Sequence, residues 1–114
     1  MKCPNCLNSA RWCDNKEIYG KSYGRSSMCW YCKRCDYYVG CHNNSQRPLG
    51  KMASRETREL RMACHKKFDT YWKENFTTRN EGYKWLQEIM KKLPADAHIG
   101  MFEKEECEEL LTLI

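Results

Sequence analysis

Long apolar runs are missing from this 114-residue sequence. No stretch approaches the about 18 residues that read as a membrane-spanning helix, so membrane contact is not expected. The opening Met1-Lys2-Cys3-Pro4-Asn5-Cys6 lacks the apolar stretch and small-residue cleavage site of a secretory signal, which makes the cytoplasm the expected location. Internal repeats and low-complexity tracts are absent as well. Histidine is scarce, at three residues, and proline equally so. Acidic residues are thin in the first part of the chain: residues 1–70 hold 14 Lys+Arg against 6 Asp+Glu, and residues 71–114 hold 6 against 9.

Cysteine is plentiful, at nine residues. In a reducing compartment thiols stay free, and an odd count does not suit a fully paired disulfide scaffold, so metal is the better explanation. Residues 1–42 are dense in Cys, aromatic and Gly residues, with short β-type pieces at 10–13, 17–19, 28–31 and 37–41. So small a module buries too little apolar surface to stand alone, and one structural zinc ion would make up the deficit. Residues 43–53 are rich in turn formers and read as a connector.

Residues 54–114 read as helical. Ser54 is the expected cap of a first helix whose stripe is Leu60, Cys64, Phe68 and Tyr71/Trp72, ending near Asn75. Thr78 with Glu81 forms the pattern of a capping box and opens a second helix that buries Leu86, Ile89, Met90 and Leu93 before Pro94. A third helix starts near Glu103, with Cys107, Leu110, Leu111 and Ile114 inward. The expected class is therefore α+β: a zinc ribbon of short antiparallel strands (1–42), a connector (43–53), and about three α-helices (54–114) packed with it as one small unit.

Cys3-Pro4-Asn5-Cys6 is the strongest signal, because a C-x2-C turn aims two thiolates and neighbouring backbone N–H groups at one centre. Its partner pair lies among Cys29, Cys32 and Cys35. Spacing alone admits either Cys29/Cys32 or Cys32/Cys35. Cys13, Cys41 and His42 supply only three further ligands, short of the four that tetrahedral zinc takes, and read as packing beneath the ribbon.

The Cys3-x2-Cys6 and Cys29-x5-Cys35 pattern resembles the zinc ribbons appended to type I DNA topoisomerases. The whole chain resembles a family of small phage and prophage proteins described as a zinc-finger-containing domain. The matching blocks are Cys3-Pro4-Asn5-Cys6, Ile18-Tyr19-Gly20, residues 35–42, Pro48-Leu49-Gly50, the helical run 60–72, residues 83–86 and residues 98–102. That resemblance implies Cys3, Cys6, Cys29 and Cys35 as zinc ligands, with Cys32 an additional thiol and alternative ligand. It also implies a phage setting, with the host cytoplasm as location, and no established activity.

The remaining candidates divide by chemistry. His42, His65, Asp69 and His98 are the polar residues closest to a catalytic set, and His65 and Asp69 share a helix face. No third anchoring group or oxyanion motif accompanies them, so the expectation is a protein that is not an enzyme, with a metal-dependent nuclease as the weakest reading. Lys51, Arg55, Arg58, Arg61 and Lys66 fall within an arc of about 140° on the first helix, clear of its Leu60, Cys64, Phe68 and Tyr71 stripe. The ribbon adds Arg11, Lys21, Arg25, Lys33 and Arg34 near Trp12, Trp30, Tyr23 and Tyr31. Cations interleaved with aromatic rings suit DNA or RNA, since charges meet phosphates and rings stack on bases. The alternative is a protein-binding adapter or anti-defence inhibitor acting on a host protein, for which the acidic run Glu103, Glu105, Glu106, Glu108 and Glu109 would meet a basic partner.

Overall fold

A computed structural model describes residues 1–24 and 26–114. They form two compact units, Met1–Arg55 and Glu56–Ile114. The architecture is α+β, with antiparallel strands and a cysteine cluster first and helices after.

Four strands build one sheet in the first unit: β1 (Arg11–Asp14), β2 (Met28–Cys32), β3 (Tyr37–Gly40) and β4 (Ala53–Ser54), in spatial order β1-β2-β3-β4 and antiparallel throughout. Three fall where the alternating pattern placed them, within a residue at each end. The expected strand at 17–19 is instead part of a single-turn helix, α1 (Lys16–Tyr19). Asp14 sets this turn by accepting the Lys16 N–H through Oδ1 at 2.8 Å, and the Asn15 carbonyl accepts from Ile18 and Tyr19 at 3.0 Å each. Such local side-chain bonds compete directly with a ladder. Gly20 closes the turn at φ 85°, a left-handed conformation that favours glycine.

Register decides what each sheet face carries. Trp12, Trp30 and Val39 stand opposite one another across β1, β2 and β3, and the next rung is Cys13, Cys29 and Gly40. Successive residues point to opposite faces. Cys3, Cys32, Val39 and Met52 make a small buried cluster, against which Trp30, Cys35 and Tyr37 pack. Tyr31 and Tyr38, two rungs from Cys29 and so on its face, meet edge to face at 6.3 Å, and Tyr38 meets Tyr19 in the same way at 6.0 Å.

The second unit holds nearly all of α2 (Arg55–Asn75), with α3 (Arg79–Ile89), a 3-10 turn (Ile99–Met101) and α4 (Lys104–Leu113). Thr78 caps α3, its Oγ1 accepting the Glu81 N–H at 3.3 Å, as the capping pattern predicts. Glu106 does the corresponding work for α4, its Oε1 accepting the Glu103 N–H at 2.9 Å. Cys64, Phe68, Leu86, Ile99, Phe102, Cys107 and Leu110 are the buried core. Leu60, Trp72, Met90, Leu111 and Ile114 pack around it, half-buried. Gly82 lets α3 approach α2 closely, for a Cβ there would sit 2.6 Å from the Trp72 Cβ. Ile89 and Leu93 depart from expectation: they are 39% and 71% exposed. The helix stops at Ile89 and Lys91 turns left-handed at φ 53°, so Leu93 is not on its buried stripe. No helix among the described residues is long and apolar enough to cross a membrane.

Candidate metal centre

Two C-x2-C knuckles face one another in the first unit. The first, Cys3 to Cys6, is a tight reversal in which the Leu7 N–H donates to the Cys3 carbonyl and the Cys3 N–H to the Asn8 carbonyl, each at 2.8 Å. The second, Cys32 to Cys35, joins β2 to β3. The residue after each second cysteine is left-handed, Leu7 at φ 64° and Asp36 at φ 56°. That conformation costs a side-chain-bearing residue about 1–2 kcal/mol, and Asp bears it more readily than Leu. The two knuckles therefore share one backbone design, each turning its chain sharply away once the second thiol has been delivered.

The Sγ atoms of Cys3, Cys6, Cys32 and Cys35 all lie within 4.8 Å of one another, and those of Cys6 and Cys32 are 3.7 Å apart. A tetrahedral zinc–thiolate shell with bonds of about 2.3 Å has sulfur–sulfur edges of about 3.8 Å. The donor set fits the ion in number, softness and spacing. Cys3 and Cys32 are buried, and Cys6 and Cys35 half-buried.

The electrostatics suit a cation. The Asn8 backbone N–H, with help from the Cys35, Cys32 and Cys3 thiols, brings Cys6 down to about 7 against burial. Cys32 goes the other way, to about 12: the Cys35 N–H lowers it, but burial and the surrounding thiols Cys6, Cys3 and Cys35 outweigh that donor. One thiolate forms easily and raises the cost of the next, a repulsion that a divalent ion at their centre removes.

Cys32 occupies the place that the resemblance gave to Cys29. The reason is the two-residue period of a strand. Three positions apart on β2, the two cysteines point to opposite faces, and Cys29 stands opposite Cys13 on β1, away from the first knuckle. Cys13 is buried, and its thiol is pushed up to about 12, first by burial and then by Glu17 and Cys29. Burial likewise raises Cys41. Cys13 and Cys41 are thus buried where the thiolate is disfavoured. No other set of three Cys, His, Asp or Glu ligand atoms converges among the described residues.

The basic candidates scatter in role. Arg11 pairs with Glu17, and Lys21 lies 5.2 Å from the centre of the Tyr23 ring. Lys33 and Arg34 form the exposed tip of the second knuckle. Arg55 pairs with Asp36 at 3.4 Å and lies 5.9 Å from the centre of the Tyr38 ring. Lys66 is exposed and Arg58 half-buried. Arg25 lies outside the described residues. Trp30 is half-buried, its ring 5.2 Å from that of Trp12 and its Nε1 donating to the Gln46 carbonyl at 2.8 Å. Arg61 corrects the expected basic face: only 6% exposed, it donates through Nε to the Phe102 carbonyl at 2.8 Å. On a helix it sits about 20° from Phe68, so it belongs to the buried stripe.

The polar set is divided between the two units. His42 is in the first unit, whereas His65, Asp69 and His98 are in the second. His65 is exposed on α2, Asp69 accepts from Trp72 Nε1 at 3.3 Å, and the His98 ring packs 5.9 Å from Tyr83. The stretch Asn43-Asn44-Ser45-Gln46, read from sequence only as connector, proves to line a cavity with Trp12. Its density of side-chain amides beside an aromatic-rich ribbon was the available signal.

Four cysteines on two facing knuckles, closing on one point, define the class of zinc fingers. The chain belongs to the zinc-finger-containing domain family DUF3268, whose pattern matches residues 1–114. No curated protein and no solved structure matches the chain.

Proposed function

We propose that this chain is a non-catalytic accessory protein of the phage type, built on one structural Zn²⁺ at Cys3, Cys6, Cys32 and Cys35, that binds nucleic acid through the basic and aromatic surface of its ribbon. The observation that carries the reading is the partition of charge. Met1–Arg55 contains 10 Lys+Arg and 3 Asp+Glu, whereas Glu56–Ile114 contains 10 and 12. The chain's entire positive excess resides in the unit that also displays Trp12, Trp30, Tyr23 and Tyr31. Even after four thiolates and zinc take two charges away, the ribbon stays strongly positive. Four protein thiolates fill the zinc shell, which supports a structural ion with no place for an activated water. Metal binding at such a site contributes about 10–16 kcal/mol toward ordering it. The contacting cations in this reading are Lys21, Lys33, Arg34 and Arg55, with Arg47 added by its exposure.

The test is filter binding of the zinc-loaded protein to single- and double-stranded DNA and RNA at two salt concentrations. Binding that weakens steeply with salt is expected, because cations that displace counterions from phosphates make affinity fall with ionic strength. Undetectable binding, together with one host protein co-purifying through the acidic α4, would replace this reading with that of a protein-binding adapter. Cleavage dependent on Mg²⁺ and abolished by His65→Ala would replace it with a nuclease.

A further inference from the structure

A cavity of about 340 Å³ opens on the ribbon beside Trp12. Its walls are Trp12, Ser26, Ser27 and Met28 on one side and residues 43–46 on the other. Among the described residues no charged side chain lines it. What it offers is one large aromatic face, three side-chain amides from Asn43, Asn44 and Gln46, and hydroxyls.

Both walls are fixed in place. The 42–47 loop is tied across its neck by the His42 N–H donating to the Arg47 carbonyl at 3.0 Å, and inside by the Ser45 N–H to the His42 carbonyl at 3.2 Å. Ser45 Oγ accepts the Arg47 N–H at 2.9 Å. The Gln46 carbonyl is held to the sheet twice, by Trp30 Nε1 at 2.8 Å and by the Cys41 thiol at 3.7 Å. On the other side Ser27 Oγ donates to Asp14 Oδ2 at 2.7 Å, and the Ser27 carbonyl accepts the Asn15 N–H at 2.6 Å. Trp12 is backed by Trp30 at 5.2 Å between ring centres. The amides and the ring are thus presented on a prepared frame, which spares a ligand much of the ordering cost.

A ligand that suits these walls is flat, uncharged, and edged with both donors and acceptors. An amide offers an adjacent acceptor and donor, the arrangement that pairs with two neighbouring atoms of a base edge, and an indole face stacks on any base. A neutral sugar would satisfy the same groups less selectively. The ribbon's positive charge decides between them, because a base arrives on a phosphate chain, and exposed Arg47 directly follows Gln46 outside the cavity. We propose that the cavity between Trp12 and the Asn43–Gln46 loop binds one unpaired nucleobase. This inference rests on the nucleic-acid reading above and assigns that reading its base-contacting site.

The experiment uses the full zinc-loaded chain with the four ribonucleosides, their mononucleotides, the matching homopolymers, and N-acetylglucosamine as the neutral sugar. Binding is followed by Trp fluorescence and by the indole and side-chain amide signals in proton–nitrogen spectra. The expected result is saturable binding of at least one nucleoside, with shifts centred on the Trp12 indole and the Asn43, Asn44 and Gln46 amides. Asn43→Ala and Gln46→Ala should each weaken it about tenfold, the loss of a paired amide contact, at unchanged zinc content. Trp12→Phe, which keeps a stacking face, should weaken it less than Trp12→Ala. Homopolymers that bind with steep salt dependence but equally, and unaffected by Asn43→Ala and Gln46→Ala, would overturn the pocket and leave the nucleic-acid reading standing. Nucleosides that bind in the pocket while no polymer binds more tightly than its mononucleotide would sustain the base site as one for free nucleotides and end the strand-binding reading. Saturation by the sugar in place of nucleosides, or no binding by any of them, would overturn the inference.

Discussion

The Sγ atoms of Cys6 and Cys32 stand 3.7 Å apart although 26 residues separate them along the chain. The sheet brings their two knuckles face to face, and an ion between them would bind both sulfurs at once.

That pairing makes the ligand set testable one residue at a time. Cys3→Ser, Cys6→Ser, Cys32→Ser and Cys35→Ser should each lose stoichiometric zinc by elemental analysis, with a fall in far-UV dichroism as the ribbon unfolds and the helices persist. Cys29→Ser should keep its zinc. A Cys29 variant without metal beside a Cys32 variant with it would reverse the assignment.

Gly82 separates two opposing effects. Alanine is the better helix former by about 1 kcal/mol, which alone would stabilise α3. The added Cβ would meet the Trp72 Cβ at 2.6 Å, at the base of a side chain that cannot swing aside. Overpacking of this kind costs about 1–3 kcal/mol, so the clash wins. Gly82→Ala should lower the urea midpoint of the helical unit with its slope unchanged.

Arg61 is expected to behave as a core residue. Arg61→Ala strands the buried Phe102 carbonyl, at a cost of about 1–3 kcal/mol in denaturant unfolding. Lys66→Ala, on the exposed side of the same helix, should stay within about 0.5 kcal/mol of the parent. Equal effects from the two would contradict the placement of Arg61.

Asp14 supplies the pH test. Its carboxyl is held below the ordinary carboxylate range by the Ser22 hydroxyl first, then the Lys16 N–H and the Ser27 hydroxyl. A depressed carboxyl stabilises the fold above its unfolded value of about 3.9, and that contribution is lost as pH falls through the folded value. The Asp14 carboxyl carbon signal should therefore stay flat from pH 7 down to about 4.5, whereas an exposed carboxylate has begun to titrate by then. A midpoint at or above the ordinary value would remove Asp14 as the anchor of the β1 to α1 turn.

Much of this molecule was legible in its residues. Thr78 with Glu81 announced α3, and the spacing of Cys64, Phe68, Leu86, Cys107 and Leu110 announced the helical core. Cys3 and Cys6 identified themselves by their turn. The misreadings share a physical origin, in that residue type was weighed above position. Cys29 and Cys32 are the same residue, and only strand parity tells them apart. Arg61 was assigned to solvent for its charge, although its helical angle lay beside Phe68. Glu17, Ile18 and Tyr19 have strand-like composition, yet Asp14 and Asn15 upstream offer the hydrogen bonds that wind them into a turn. The cavity beside Trp12 left only the run of amides at Asn43, Asn44 and Gln46 as a trace in the sequence, since its walls come from segments that meet only after the sheet has formed.

The Asn15 N–H and the Ser27 carbonyl bond at 2.6 Å, so the excursion between β1 and β2 is pinched shut at its base. A doubling of a closed loop's length adds only about 0.6 kcal/mol of closure entropy. Peptide grafted between those two anchors should therefore leave the knuckles and their ion undisturbed. That makes the excursion a place to hang an epitope or a fluorophore without breaking the β1–β2 ladder, provided Lys21, Ser26 and Ser27 are kept.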